Sequence, residues 1–311
     1  MASYDVLIIG GGGSGFTAAL YASRAKLQTL LLEKLTPGGQ IALTDLVENY
    51  PGFPDGITGP DISMRMEAQA KKYGTEVKYE EVKSIESRSG ELVAKTAKTE
   101  YRAKSIILAS GAAFRTLGVP GEKELTGKGV SYCATCDGAF FKEKEIIVVG
   151  GGDSALQEGL FLTRFVKKLT VVHRRDKLRA GAILQERAQA NEKIEFAWDS
   201  VVTQIEGEGK VERVSLKNVK TNEEKAFRTD GVFISIGHNP ATQFLKGSVD
   251  LDAEGYVTTD NKLQTSIPGV FAAGEVREGA VRQLVAACGE GCEAALSAQA
   301  YLEALELASK P

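Results

Sequence analysis

Apolar positions in this chain gather in short unbroken runs instead of alternating with polar ones. "YDVLIIGGGGSGFTAALYASRAKLQTLLLEK" reads as a strand, a glycine turn, a helix opening near Ser14, and a second strand ending at Glu33. "EKEIIVVGGGDSALQEGLFLTRFVKKLTVVHRRDKLR" repeats the plan, with a helix from Ser154 and a second strand ending at Val172. Runs of Val, Ile and Leu without alternation suit parallel strands covered on both faces. Later, "GVFAAGE" predicts one more strand, and "LVAACGEGCEAALSAQAYLEAL" a closing helix rich in alanine and leucine. Residues 206–230 are charged and poor in large apolar groups, which predicts exposed hairpins.

The glycines in the first turn have the spacing G-x-G-x-x-G. Gly10 permits the tight turn, Gly12 lets backbone approach a pyrophosphate, and Gly15 lets helix pack on strand. The helix N-terminus offers N–H groups to phosphate, and Glu33, 23 positions after Gly10, can accept from ribose hydroxyls. In the second turn His173 stands 23 positions after Gly150, and Arg174, Arg175 and Arg179 follow it. Guanidinium forks pair with phosphate oxygens, where a carboxylate would repel them. The second site is therefore expected to take NADPH through these four side chains.

The 311 residues suffice for two domains, and the fold class expected is α/β with two Rossmann-like dinucleotide-binding domains. A first domain over 1–115 resumes at 245–311, around an inserted domain at 116–244. "RTLGVPGE" and "GHNPAT" are the Gly/Pro-bearing crossings. A net charge of −3 gives no basic footprint for nucleic acid. The uncharged stretch from Val6 to Ser23 is interrupted by glycines, which argues against a membrane span or signal segment. Four cysteines are too few for a secreted disulfide scaffold, and a cytoplasmic setting is expected.

"YCATCDG" carries Cys133 and Cys136 with Asp137 beside them. A four-cysteine zinc site would need Cys288 and Cys292, which are more simply small fillers of the last helix, and no metal is expected. A C-x-x-C that closes and reopens a disulfide stores two electrons, and Asp137 can hold the proton a thiolate needs. A flavin accepts hydride on one side and reduces a disulfide on the other. Two dinucleotide turns and one dithiol therefore suggest FAD in the first site and NADPH in the second.

"GGQ", "VENYPGFP", "CATCDG", "GGGDSA", "HRRDKLR", "GVFAAGEVRE" and "VRQ", in this order along the chain, resemble low-molecular-weight thioredoxin reductase. The resemblance implies a homodimer that passes electrons from NADPH through FAD and the dithiol to thioredoxin. It adds Gly39, Gln40, Asn49, Glu275, Arg282 and Gln283 to the FAD site, and Gly152 and Ser154 to the NADPH site. It implies that Cys133 exchanges with thioredoxin while Cys136 faces the flavin, and that Phe140 and Phe141 form an exposed docking pair. Glu275 departs from the family's usual aspartate, and Ser110 from its usual threonine. The same relay with ferredoxin as donor, or with a glutaredoxin-like or peroxiredoxin acceptor, stays open, as does a nucleotide sensor that passes no electrons.

Overall fold

The computed structural model describes residues 3–44, 46–88 and 91–308, and the chain divides into two compact units. The outer unit comprises Met1–Ala113 and Asn239–Pro311; the inserted unit is Phe114–His238. In the outer unit, β1 (Ser3–Ile9) leads through the first glycine turn into α1 (Gly13–Arg24) and β2 (Thr29–Glu33). There follow α2 (Gly59–Lys72), β3 (Glu76–Tyr79), β4 (Val82–Arg88), β5 (Glu91–Thr96), β6 (Glu100–Leu108) and the short β7 (Ala112–Phe114). Strands β3, β2, β1 and β6 lie side by side in parallel, and β5 and β4 extend the sheet in antiparallel fashion.

The inserted unit contains β8 (Val130–Ser131), α3 (Ala134–Asp137), β9 (Glu145–Val149), α4 (Asp153–Leu162), β10 (Lys168–Val172), α5 (Ala182–Gln189) and β11 (Ile194–Ala197). β12 (Ser200–Glu206), β13 (Arg213–Asn218) and β14 (Glu224–Arg228) then form an antiparallel sheet, before β15 (Gly231–Ile234). β11, β10, β9, β15 and β8 make one parallel sheet in that order. At the crossings β16 (His238–Pro240) pairs with β7. The return segment supplies β17 (Val270–Ala272), parallel to β6, and α6 (Leu284–Ala308).

Unbroken apolar runs become intelligible from the layers. Along β1, Leu7 and Ile9 join one core with Leu30, Leu32, Ile106 and Leu108. Val6 and Ile8 join the opposite core with Phe16, Ala18, Ala19 and Ala22 of α1 and Ala294, Ala295, Ala298 and Leu302 of α6. In β9, Ile146 and Val148 face α4, while Ile147 and Val149 face Val202, Ile205, Val214 and Leu216. Segment 206–230 is thus not a set of exposed hairpins. Val211, Val214 and Leu216 are buried and close the second face of the parallel sheet, which their spacing among charged neighbours conceals.

Residues 239–244 belong to the outer unit, although the sequence reading placed them in the insertion. Three hydrogen bonds hold them there: Ala241 N donates to Gly111 O, Ser110 Oγ to Ala241 O, and Thr242 Oγ1 to Gly255 O. Ser110 thereby keeps a use for its hydroxyl. Among the described residues no helix is long and apolar enough to cross a membrane.

Candidate redox and nucleotide sites

The first glycine turn is shaped by close approach. Gly10 has φ +109°, and a Cβ there would meet Ala109 O at 2.3 Å. A Cβ on Gly15 would stand 1.8 Å from Gly10 O, so α1 can lie on β1 only without that side chain. Space at Gly12 is different in kind: the nearest heavy atom to a Cβ would be Gly38 O, at 3.9 Å. Gly12 caps α1 without a side chain, leaving the helix N-terminus facing that space.

Around it the structure gathers most of the outer site residues. Gly39 lies against Gly12, and the Glu33 carboxylate receives Gly11 N (2.7 Å) and Leu35 N (2.9 Å) at the end of β2. Gln40 Nε2 donates to Ala112 O (2.9 Å). Asn49 Nδ2 donates to Gln283 Oε1 (3.1 Å), joining residues 234 positions apart. Burial raises the Glu275 carboxyl above its ordinary value, and the Arg282 guanidinium partly offsets this.

One support of this site is invisible in the sequence reading. Glu290 of α6 accepts Gly274 N at 2.7 Å, and its two oxygens take Arg277 Nε and Nη2 at 2.9 Å each. This fork fastens the turn carrying Glu275 to α6. A signal existed: Glu290 sits between two glycines inside a helix, a costly placement unless something approaches closely. Gly291 indeed packs on Ser14 backbone. Cys288 is buried on the same helix, its thiol near Gly13 O and the Tyr50 hydroxyl, and burial pushes Tyr50 up to about 12.

In the inserted unit Gly152 caps α4, again without a side chain, and Ser154 is exposed on the first turn. Segment 173–181 folds back over this turn: Arg179 N donates to Gly151 O, and Gly181 N to Asp153 Oδ1, both 2.7 Å. Arg174, Arg175 and Arg179 are exposed, and Arg179 Nη2 stands close to Gly152. His173 lies deeper than they do. Its ring is buried under Gly151, where a Cβ would meet Nδ1 at 2.2 Å, and Nε2 lies 3.1 Å from Lys177 O. Burial first, then Arg179, Arg175 and Arg174, lower its pKa, so the ring is neutral and donates from Nε2.

The dithiol segment starts from the edge strand β8. Cys133 is the N-cap of α3, its Sγ 3.2 Å from Cys136 N, and the two cysteines form a disulfide with Cα atoms 5.3 Å apart. Asp137 closes the turn, and burial raises its carboxyl above the ordinary value. Ser131 Oγ donates to Asp137 Oδ2 at 2.6 Å and receives Cys133 N at 3.1 Å. Tyr132 OH donates to the buried Glu122 at 2.7 Å, and its ring stacks on Phe114. Neither Ser131 nor Glu122 was singled out from sequence. The expected exposed aromatic pair is split: Phe140 is exposed, whereas Phe141 is core, edge-on to Phe233 and filling the space beside Gly231.

The arrangement is two glycine-turn cradles, one per unit, with a closed C-x-x-C and a half-buried carboxyl in the second. The family profile described as "Pyridine nucleotide-disulphide oxidoreductase" matches residues 4–291. The chain is 52% identical to a thioredoxin reductase of Bacillus subtilis, over 97% of this chain and 96% of the relative. A solved thioredoxin reductase from Streptococcus pyogenes is 49% identical, covering 97% of this chain and 99% of that one, with a TM-score of 0.94. Another, from Giardia duodenalis, is 38% identical over 97% and 100% of the chains, with a TM-score of 0.92. On these grounds the chain belongs to the pyridine nucleotide-disulphide oxidoreductase family, among its thioredoxin reductases.

Proposed function

We propose that this thioredoxin reductase draws its electrons from NADPH, holds FAD in the outer unit, and delivers through Cys133 and Cys136 to oxidised thioredoxin, working as a homodimer. The observation that carries the reading is the closed Cys133–Cys136 pair beside the half-buried Asp137, in the unit that also holds the second glycine turn.

The residues fit both nucleotides. Open space at Gly12 before an uncapped helix suits a pyrophosphate, and Glu33 at the end of β2 suits a ribose. Gly39, Gln40, Asn49, Glu275, Arg282 and Gln283 complete the FAD side in this reading. Gly152 and Ser154 at the start of α4 would take the second pyrophosphate, and the exposed Arg174, Arg175 and Arg179 the 2′-phosphate. When bound, the nicotinamide supplies a hydride and the flavin turns it into the electron pair that a disulfide accepts.

The chain's own chemistry begins once the pair is reduced. Cys133 thiolate attacks one sulfur of the thioredoxin disulfide, and the departing thiolate takes a proton. Cys136 thiolate then attacks Cys133 Sγ, restoring the internal disulfide and releasing the second thioredoxin thiolate, which also takes a proton. Two electrons and two protons have passed to thioredoxin. Asp137, raised by burial, holds a proton near neutral pH more readily than an exposed aspartate.

The test is anaerobic. NADPH added to the FAD-loaded protein is expected to bleach the flavin's visible absorbance, and oxidised thioredoxin to restore it. Bleaching by reduced ferredoxin but not by NADPH would overturn the donor, and failure of thioredoxin to restore the colour would overturn the acceptor.

A further inference from the structure

We propose that Ser131 is a positioning residue of the thiol exchange: it fixes which oxygen of Asp137 carries the proton and ties that carboxyl to the Cys133 end of the turn. This rests on the reading of Asp137 as the proton carrier.

Ser131 lies in the edge strand β8, pairing in parallel with Phe233 of β15, and is buried. Its backbone is thereby held by the sheet, not by the redox turn. Its hydroxyl has two close partners. Cys133 N–H donates to Oγ (3.1 Å), which occupies an oxygen lone pair and leaves the hydroxyl proton for Asp137 Oδ2 (2.6 Å). The third contact, Cys133 O at 3.4 Å, is too long to compete. The chain of donors therefore runs one way, from Cys133 N–H through Ser131 O–H to Asp137 Oδ2. With Oδ2 committed as acceptor, a proton on Asp137 sits on Oδ1.

The same hydroxyl sets the strength of the acid. Two influences act on Asp137: burial, which favours the neutral form, and the Ser131 donor, which favours the anion. While the cysteine pair is closed, the titratable groups on the elements around it are Asp153 and Glu158 of α4 and Tyr132 ahead of the turn. None of them is among the groups that move Asp137. With the disulfide closed, Ser131 is thus the one side-chain partner that opposes the effect of burial on the half-buried Asp137 carboxyl.

The experiment is the pH profile of thioredoxin reduction at saturating NADPH for wild type, Ser131→Ala, Ser131→Thr and Asp137→Asn. Removal of the hydroxyl is expected to move the limb belonging to Asp137 upward by about one pH unit or more, since hydrogen bonds to charged groups are among the stronger ones. Ser131→Thr, which keeps the oxygen, is expected to restore the wild-type limb. If Ser131→Ala lowers turnover equally at every pH, Ser131 is only structural and the proposal falls. If Asp137→Asn keeps the wild-type limb, the reading of Asp137 as proton carrier falls instead. Infrared titration of the protonated Asp137 carbonyl band, identified by its loss in Asp137→Asn, gives the same shift without turnover. It also covers a Ser131→Ala protein too unstable to assay: there Ser131→Thr must retain the wild-type band position and titration, and a displaced one overturns the proposal.

Discussion

Glu33 and His173 each stand 23 positions beyond the first glycine of their turn, yet the two units put these residues to opposite uses. Glu33 stays at the strand end, its oxygens held by Gly11 and Leu35 amides and aimed along the rim of the turn. His173 sinks under Gly151 and gives its Nε2–H to Lys177 O. A neutral imidazole can fill space beneath a glycine with one hydrogen bond; a carboxylate there would be stripped of water with too few donors. Once the histidine is below, the side chains left at the rim are Arg174, Arg175 and Arg179. Equal spacing fixes where the backbone stands, and desolvation decides which side chain faces a ligand.

The largest break between the units is that the inserted one alone carries a dithiol. Cys133→Ser is expected to abolish thioredoxin reduction, because no interchange thiolate remains, while NADPH still bleaches the flavin. Turnover of thioredoxin near the wild-type rate in this variant would sink the assigned outlet.

The rim arginines come next. Hydrogen bonds to charged groups contribute roughly 1.5–3 kcal/mol each. Loss of two, in Arg174→Ala with Arg175→Ala, is expected to raise the KM for NADPH by about 10² or more, with little change for NADH. Steady-state kinetics with both coenzymes decides it: equal weakening would mean that the arginines support the loop instead of reading the phosphate.

What the sequence made legible follows from the range of the forces involved. Glycine turns, strand ends at Glu33 and Val172, and the helical course of α6 depend on local periodicity and were read correctly. Phe140 and Phe141 lie in a single short turn with no period to tell them apart; only the packing of Phe233 and Gly231 makes Phe141 core. Val211, Val214 and Leu216 were hidden among charges because their partner face belongs to distant strands. Ser131 reaches Asp137 six positions on, through a turn, and Glu290 of α6 reaches Gly274 sixteen positions back; neither spacing is a helix or strand period. Asn49 and Gln283 were named only through family resemblance, and their hydrogen bond joins segments from both halves of the outer unit.

A smaller effect separates the buried histidine from the arginines above it. His173→Ala removes the donor to Lys177 O and the ring beneath Gly151, so the loop carrying all three arginines loses its support. NADPH and NADH are both expected to weaken about fivefold to tenfold, the worth of roughly one hydrogen bond. Selective loss of NADPH would place His173 at the phosphate and erase the contrast with Glu33.

The smallest expected effect concerns acid. His173 has its pKa lowered from 6.5, chiefly by burial and then by the three arginines. Between that lowered value and 6.5 the unfolded loop binds a proton that the folded one refuses. Folding of the segment is therefore favoured above pH about 6.5 and weakens as pH falls toward the folded value. Hydrogen exchange of the amides in 173–181 is expected to speed up, relative to those of 10–16, as pH drops through this window after correction for intrinsic rates. His173→Gln, which has no group to protonate, should flatten the difference. Identical pH dependence of the two turns in wild type would show that the buried imidazole is not what separates them.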